Sequence, residues 1–103
     1  MRNMNEIVRQ AQIMQNKLSK LQQEAEASTF EASSGGGMVK VTVNGKQVIQ
    51  SLTIEPSALK DCDAEMLQDL IISAVNEANR ISRESLEREM TNLSGGIRLP
   101  GLF

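Results

Sequence analysis

Four basic side chains, Arg2, Arg9, Lys17 and Lys20, are the residues best placed to do chemistry in this chain, and that chemistry is phosphate neutralisation. At about 100° per residue on a helix they fall within roughly 80° of one another. Residues 1–22 oppose them with Glu6 alone. Bond-making chemistry has far less to work with. The chain has no His, so it lacks the usual general base and the commonest metal ligand. Cys62 is the sole cysteine, which rules out an intramolecular disulfide or a thiolate cluster. Its neighbours Asp61 and Asp63 disfavour the thiolate, and the Ser and Thr hydroxyls have no base to activate them. Asp61, Asp63, Glu65 and Asp69 lack calcium-loop spacing and suit the start of a helix instead. Gly35-Gly36-Gly37 is not a phosphate loop, because no Lys-Ser or Lys-Thr follows and a strand comes next. A turn or bulge is expected there. Neither an enzyme nor a metal or other cofactor is expected.

The stripe needs an element to hold it. Met4, Ile7, Ala11, Met14, Leu18, Leu21 and Ala25 alternate at spacings of three and four, the heptad seam of a helix that docks on another helix. Residues 3–27 therefore read as one helix of about 37 Å, apolar on one side and cationic on the other. Thr29–Ser33 is a short strand ended by the three glycines. Met38–Val43 alternates, with Val39, Val41 and Val43 on one face and Lys40 and Thr42 on the other. Asn44-Gly45 signals a hairpin with positive φ at both positions. The returning strand, 47–54, puts Val48, Leu52 and Ile54 on one face and Ile49, Ser51 and Thr53 on the other, until Pro56 ends the sheet. A second helix starts near Asp61 or Asp63 and runs to about 90–92. Its first half is apolar over a wide arc that includes Met66, Leu67, Ile71, Ile72, Ala74 and Val75, as a helix on a sheet should be. Its second half alternates Arg80, Arg83, Glu84, Glu87, Arg88 and Glu89, which suits a solvated projection.

The fold class is thus α+β in a single domain of 103 residues: a long N-terminal helix, a three-stranded antiparallel meander and a long C-terminal helix. A core without Trp or Tyr, and with Phe only at Phe30 and Phe103, must be built from aliphatics. Such a core is marginal alone, so a second subunit is expected, with Met14, Leu18, Leu21, Leu86, Met90 and Leu93 at the dimer interface. No apolar leader or membrane-length segment is present, so a cytosolic chain starting at Met1 is expected, with no membrane partner.

Net charge is −2, an unpromising average for a nucleic-acid binder, but the charge is segregated. Residues 61–79 carry five acids and no base, while residues 1–22 carry four bases against Glu6 alone. Solubility alone accounts for many such stripes. Dimerisation would double this one, and two projecting helices could grip a duplex. With no Trp or Tyr to stack unpaired bases on, double-stranded DNA is favoured over single strands. The candidate contacts are Arg2, Arg9, Lys17 and Lys20, followed by Arg80, Arg83 and Arg88, which Glu84 and Glu87 can partly neutralise at i,i+4.

Several blocks occur in order along the chain: Gln10-Ala11-Gln12, then Gly35 to Lys46, then Met66-Leu67-Gln68-Asp69-Leu70 through Ala74-Val75-Asn76-Glu77-Ala78, and finally Gly95-Gly96 with Leu99-Pro100-Gly101-Leu102-Phe103. On these residues the chain resembles the YbaB/EbfC family of bacterial nucleoid-associated proteins over essentially its whole length. The resemblance implies a tweezer-like or intertwined homodimer that binds DNA in the cytoplasm and nucleoid, with broad sequence selectivity and roles in chromosome organisation and gene regulation. Gln47, Val48, Gln50 and Thr53 depart from the Gly and charged residues common there, which shifts the expected DNA contacts from sheet to helices. A different reading is a dimeric adaptor that binds another protein through its helices and the apolar tail at 97–103.

Overall fold

Asn3 opens the first helix as its residue type suggests, its Oδ1 accepting the Glu6 N–H at 2.9 Å. In a computed structural model, which describes residues 3–93, this helix (α1) runs Met4–Ala27. It closes where the Ser28 hydroxyl donates to the Glu24 carbonyl at 2.8 Å. Strands β1 (Thr29–Ser34), β2 (Val39–Asn44) and β3 (Ile49–Ile54) follow as an antiparallel meander in that spatial order. Helices α2 (Pro56–Asp61) and α3 (Ala64–Leu93) complete the chain as described. The α+β architecture and helix order match the sequence expectation. Helix α2 does not: Pro56 ends the sheet as expected, but it also opens a short helix, where its missing N–H costs nothing. Asp63 caps α3 by accepting the Met66 N–H at 2.8 Å.

The core is one sheet face under one helix. Val39, Val41 and Val43 are fully buried and face Ala74, Ala78 and Ser82 of α3, also fully buried. Small residues four apart form a flat stripe that lets the helix lie close to the β-branched ridge. Hydroxyls fix both ends. Ser34 donates to the Leu70 carbonyl at 2.6 Å, and Ser82 donates to the Asn44 carbonyl at 2.7 Å. Between Leu70 and Ser82 the helix rises about 18 Å, close to the roughly 17 Å of a six-residue strand.

Helix α3 lies across β1 and β2. That placement overturns two expectations. Met66 and Ile72, assigned to the sheet-packed arc, are exposed. Val48, Leu52 and Ile54 are expected together on one face of the returning strand; instead β3 begins at Ile49 and is exposed along its length until Ile54, which is half-buried. Thr42 pairs with Ser51 and Val43 with Ile49, so Gln50 is an extra, bulged residue. The bulge reverses the alternation and puts Ile49, rather than Val48, on the side of Leu52 and Ile54.

The turns also differ in detail. Gly35, Gly36 and Gly37 all adopt positive φ (61°, 67° and 97°), a tight left-handed link between β1 and β2. At the hairpin, positive φ falls on Gln47 (62°) rather than on Asn44-Gly45. Asn44 N–H donates to the Val48 carbonyl at 2.9 Å, and Gln47 N–H donates to the Asn44 carbonyl at 3.1 Å. This is a three-residue loop with a left-handed last residue. The Asn44 side chain holds it by accepting the N–H groups of Lys46 and Val48 at 2.9 and 3.1 Å.

Gly45 is required for another reason: its N–H donates to the Ala25 carbonyl at 2.7 Å, and a Cβ there would lie 2.6 Å from the same oxygen. The hairpin tip is thereby fastened to the last turn of α1. It is fastened to α3 as well, since Gln47 Nε2 donates to Ser82 Oγ at 3.1 Å. One polar knot joins all three elements.

Candidate nucleic-acid interface

From that knot α1 and α3 leave the sheet side by side and antiparallel, making a body of 72 × 21 × 16 Å. Beyond Ser82, α3 continues for about 16 Å, and α1 is about 36 Å long. Of all its residues, Ala25 alone is buried. Lys17 and Lys20 stand opposite Asn92 and Leu93, so the first turns of α1, with Met4, Ile7 and Val8 exposed, extend past the last described turn of α3.

The cations of α1 remain available. Arg9 is exposed and reaches Glu6 only at 3.8 Å. Lys17 and Lys20 are exposed and make no ion pair among the described residues, although Glu24 and Glu89 share the groove wall beside them. Arg9 to Lys20 spans about 16 Å along the axis, roughly half a turn of B-DNA. Arg2 lies outside the described residues, as does the tail segment 97–103.

The cations of α3 are less well arranged. Arg80 Nη1 binds Glu84 at 2.9 Å, and its Nε donates to Glu77 at 3.1 Å. The hydrogen bond from Arg80 holds the Glu77 carboxyl below its ordinary range, and the two carboxylates raise the guanidinium further above its own. A depressed carboxylate stays paired through neutral pH and is released only as acid carries it through that lowered value. Glu84 is legible as a partner at i,i+4, whereas a reading at that spacing misses Glu77 at i,i+3. Arg83 and Arg88 are exposed and make no ion pair among the described residues. Five residues apart, they point about 140° away from each other and form no stripe.

The six residues assigned to a dimer interface, Met14, Leu18, Leu21, Leu86, Met90 and Leu93, are all half-buried. Leu21 and Leu86 line one groove together, and Leu93 borders its outer end, so part of the seam is met by the chain's own second long helix. Greater apolar exposure lies elsewhere, on Ile7, Val8 and Ile13 of α1 and on β3, where Ile49 is 48% and Leu52 40% exposed. The β3 patch is hidden in the sequence by the bulge. Among the described residues no group of Asp, Glu and Cys converges as a metal site, and no helix is long and apolar enough to cross a membrane.

The model of the YbaB/EbfC DNA-binding family matches residues 1–97. A nucleoid-associated protein of Moorella thermoacetica is 52% identical over 101 residues, covering 98% of this chain and 97% of its own. One from Desulforamulus reducens is 50% identical, covering 98% and 96%. Among solved structures, the uncharacterized protein HP0035 from Helicobacter pylori superposes with a TM-score of 0.83 at 26% identity, over 92% of this chain and 100% of that one.

Proposed function

This chain belongs to the YbaB/EbfC DNA-binding family, and we propose that it is a nucleoid-associated protein that binds double-stranded DNA as a homodimer and acts in chromosome organisation and gene regulation. The observation that carries this reading is α1 itself, a helix anchored at one end whose exposed Arg9, Lys17 and Lys20 are nearly free of carboxylate partners. Relatives named nucleoid-associated proteins, similar over the full chain, support it. Contacts go to phosphates through α1 first, with Arg2 continuing the stripe and Arg83 and Arg88 adding on either side of α3. Arg80 contributes least because its charge is already paired. The test is fluorescence anisotropy of a labelled duplex across a salt series. Saturable binding whose logarithm falls linearly with log salt is expected, and absence of binding at low salt would overturn the reading.

Arg80 supplies a prediction of its own. In the double variant Glu77→Gln/Glu84→Gln the guanidinium is released and each protomer gains two units of positive charge. Duplex affinity at low salt should rise roughly threefold to tenfold, with a steeper salt slope. No change would place this face of α3 away from DNA.

A second copy of the chain is proposed to cover β3 together with Met14, Leu18, Met90 and Leu93. Ile49 and Leu52 leave an apolar patch on the face of β3 that α3 does not cover, and such a patch is an association site. In sedimentation the protein should run as a dimer, and Leu52→Lys should weaken the dimer tenfold or more. Leu52 is exposed in the monomer and stabilises no core there, so an unshifted dimer would remove β3 from the interface.

A further inference from the structure

Beside the hairpin knot, the groove between α1 and α3 widens into a hollow of about 180 Å³. Half-buried Leu21, Phe30 and Leu86 give it an apolar floor. Exposed Glu24 and Glu89 stand at its rim, and neither carboxylate has an ion-pair partner among the described residues. An apolar floor under an acidic rim suits an apolar segment that carries one cation. The groove runs outward past Lys17 and Asn92 to Leu93, the last described residue of α3. Residues 94–103, which follow, read Ser-Gly-Gly-Ile-Arg-Leu-Pro-Gly-Leu-Phe.

We propose that residues 97–103 of the same chain occupy this hollow, with the apolar side chains of Leu99 and Leu102 on Leu21, Phe30 and Leu86, and Arg98 between Glu24 and Glu89. Reach permits it. From Leu93 back to the level of Leu86 is about 10 Å along α3, and the six residues 94–99 span up to about 20 Å when extended. Gly95-Gly96, just past the last described residue of α3, can accommodate a reversal of direction. Charge complementarity selects this occupant, because Arg98 is the cation of the segment and meets two carboxylates that no described residue neutralises. Seating it has a consequence for the cationic face. Glu24 and Glu89 share the groove wall with Lys17 and Lys20, and Arg98 between them would lower the negative potential beside those lysines.

Trypsin cleavage after Arg98 in the full-length protein, without DNA, tests the proposal apart from any nucleic-acid reading. The Arg98–Leu99 bond should be cut at least tenfold more slowly in the protein than in a free peptide of residues 94–103. The full-length variant Glu24→Gln/Glu89→Gln adds no cleavage site and alters only exposed side chains, and it should lose most of that protection. Leu102→Asp, compared with its own free peptide, should lose it too. Cleavage at the free-peptide rate in the unaltered protein would overturn the proposal, as would protection that neither variant reduces. Protection that disappears on dilution would also overturn it, assigning the hollow to the tail of a second copy.

Discussion

Reversing two charges on the projecting helix, with Arg9→Glu and Lys20→Glu in one chain, should weaken duplex binding on the order of a hundredfold at about 0.1 M salt. Each substitution removes a cation that displaces a DNA counterion and adds an anion that repels the backbone. The slope of log affinity against log salt should therefore fall by about two per protomer. Phosphate contacts carry no base information, so the loss should be equal on unrelated sequences. Both side chains are exposed and neither touches the valine core, which should leave the unfolding midpoint nearly unmoved. The carboxylate introduced by Arg9→Glu would stand three residues from Glu6, a small like-charge penalty within α1. Unchanged affinity in a folded double variant would take α1 out of the site and leave Arg83 and Arg88 as the remaining candidates.

That variant can be designed from the sequence alone, because helix periodicity gives the angular position of a side chain before any packing is known. The same holds for the valine ridge, where strict alternation names the buried face. Legibility ends where position depends on a partner element. The bulge at Gln50 depends on the three-residue loop, and that loop depends on Asn44 satisfying two backbone N–H groups that a two-residue turn would not present. Period-two reading therefore puts Val48 inside and Ile49 outside, the reverse of what the register requires. The seam of α1 is legible as a seam, but not as one partly met by α3 of the same chain. That pairing follows from Gly45 and Ser82, which hold the two helices against one hairpin tip. Pairing of Arg80 with Glu77 is legible to a scan of i,i+3 as well as i,i+4.

Among the described glycines, Gly45→Ala should be the most damaging change to alanine, costing about 2–4 kcal/mol of stability. The added Cβ would lie 2.6 Å from the Ala25 carbonyl oxygen and 2.9 Å from both Cα and Cβ of Ala25. Two of those three contacts are backbone, so no rotamer change relieves them, and separating the chain segments breaks the 2.7 Å hydrogen bond between Gly45 N–H and that oxygen. Ala25→Gly in the same chain removes the Cβ contact alone and should restore only part of the loss. Gly36→Ala is the matched control. Gly36, unlike Gly45, has a positive φ, but a Cβ there meets nothing within 4 Å, so its cost is backbone strain of about 1 kcal/mol without any steric clash. Urea unfolding reads the difference. The functional consequence follows from where α1 is held: Ala25 is the buried residue of a helix whose cations all lie further out. Shifting that anchor swings the whole stripe while leaving every basic residue intact. Gly45→Ala should therefore lower duplex affinity under conditions where the protein is still folded, and Gly36→Ala should not. Equal affinities would mean that the cations of α1 act as an untethered basic arm, with no role for the angle at which the hairpin tip fixes the helix.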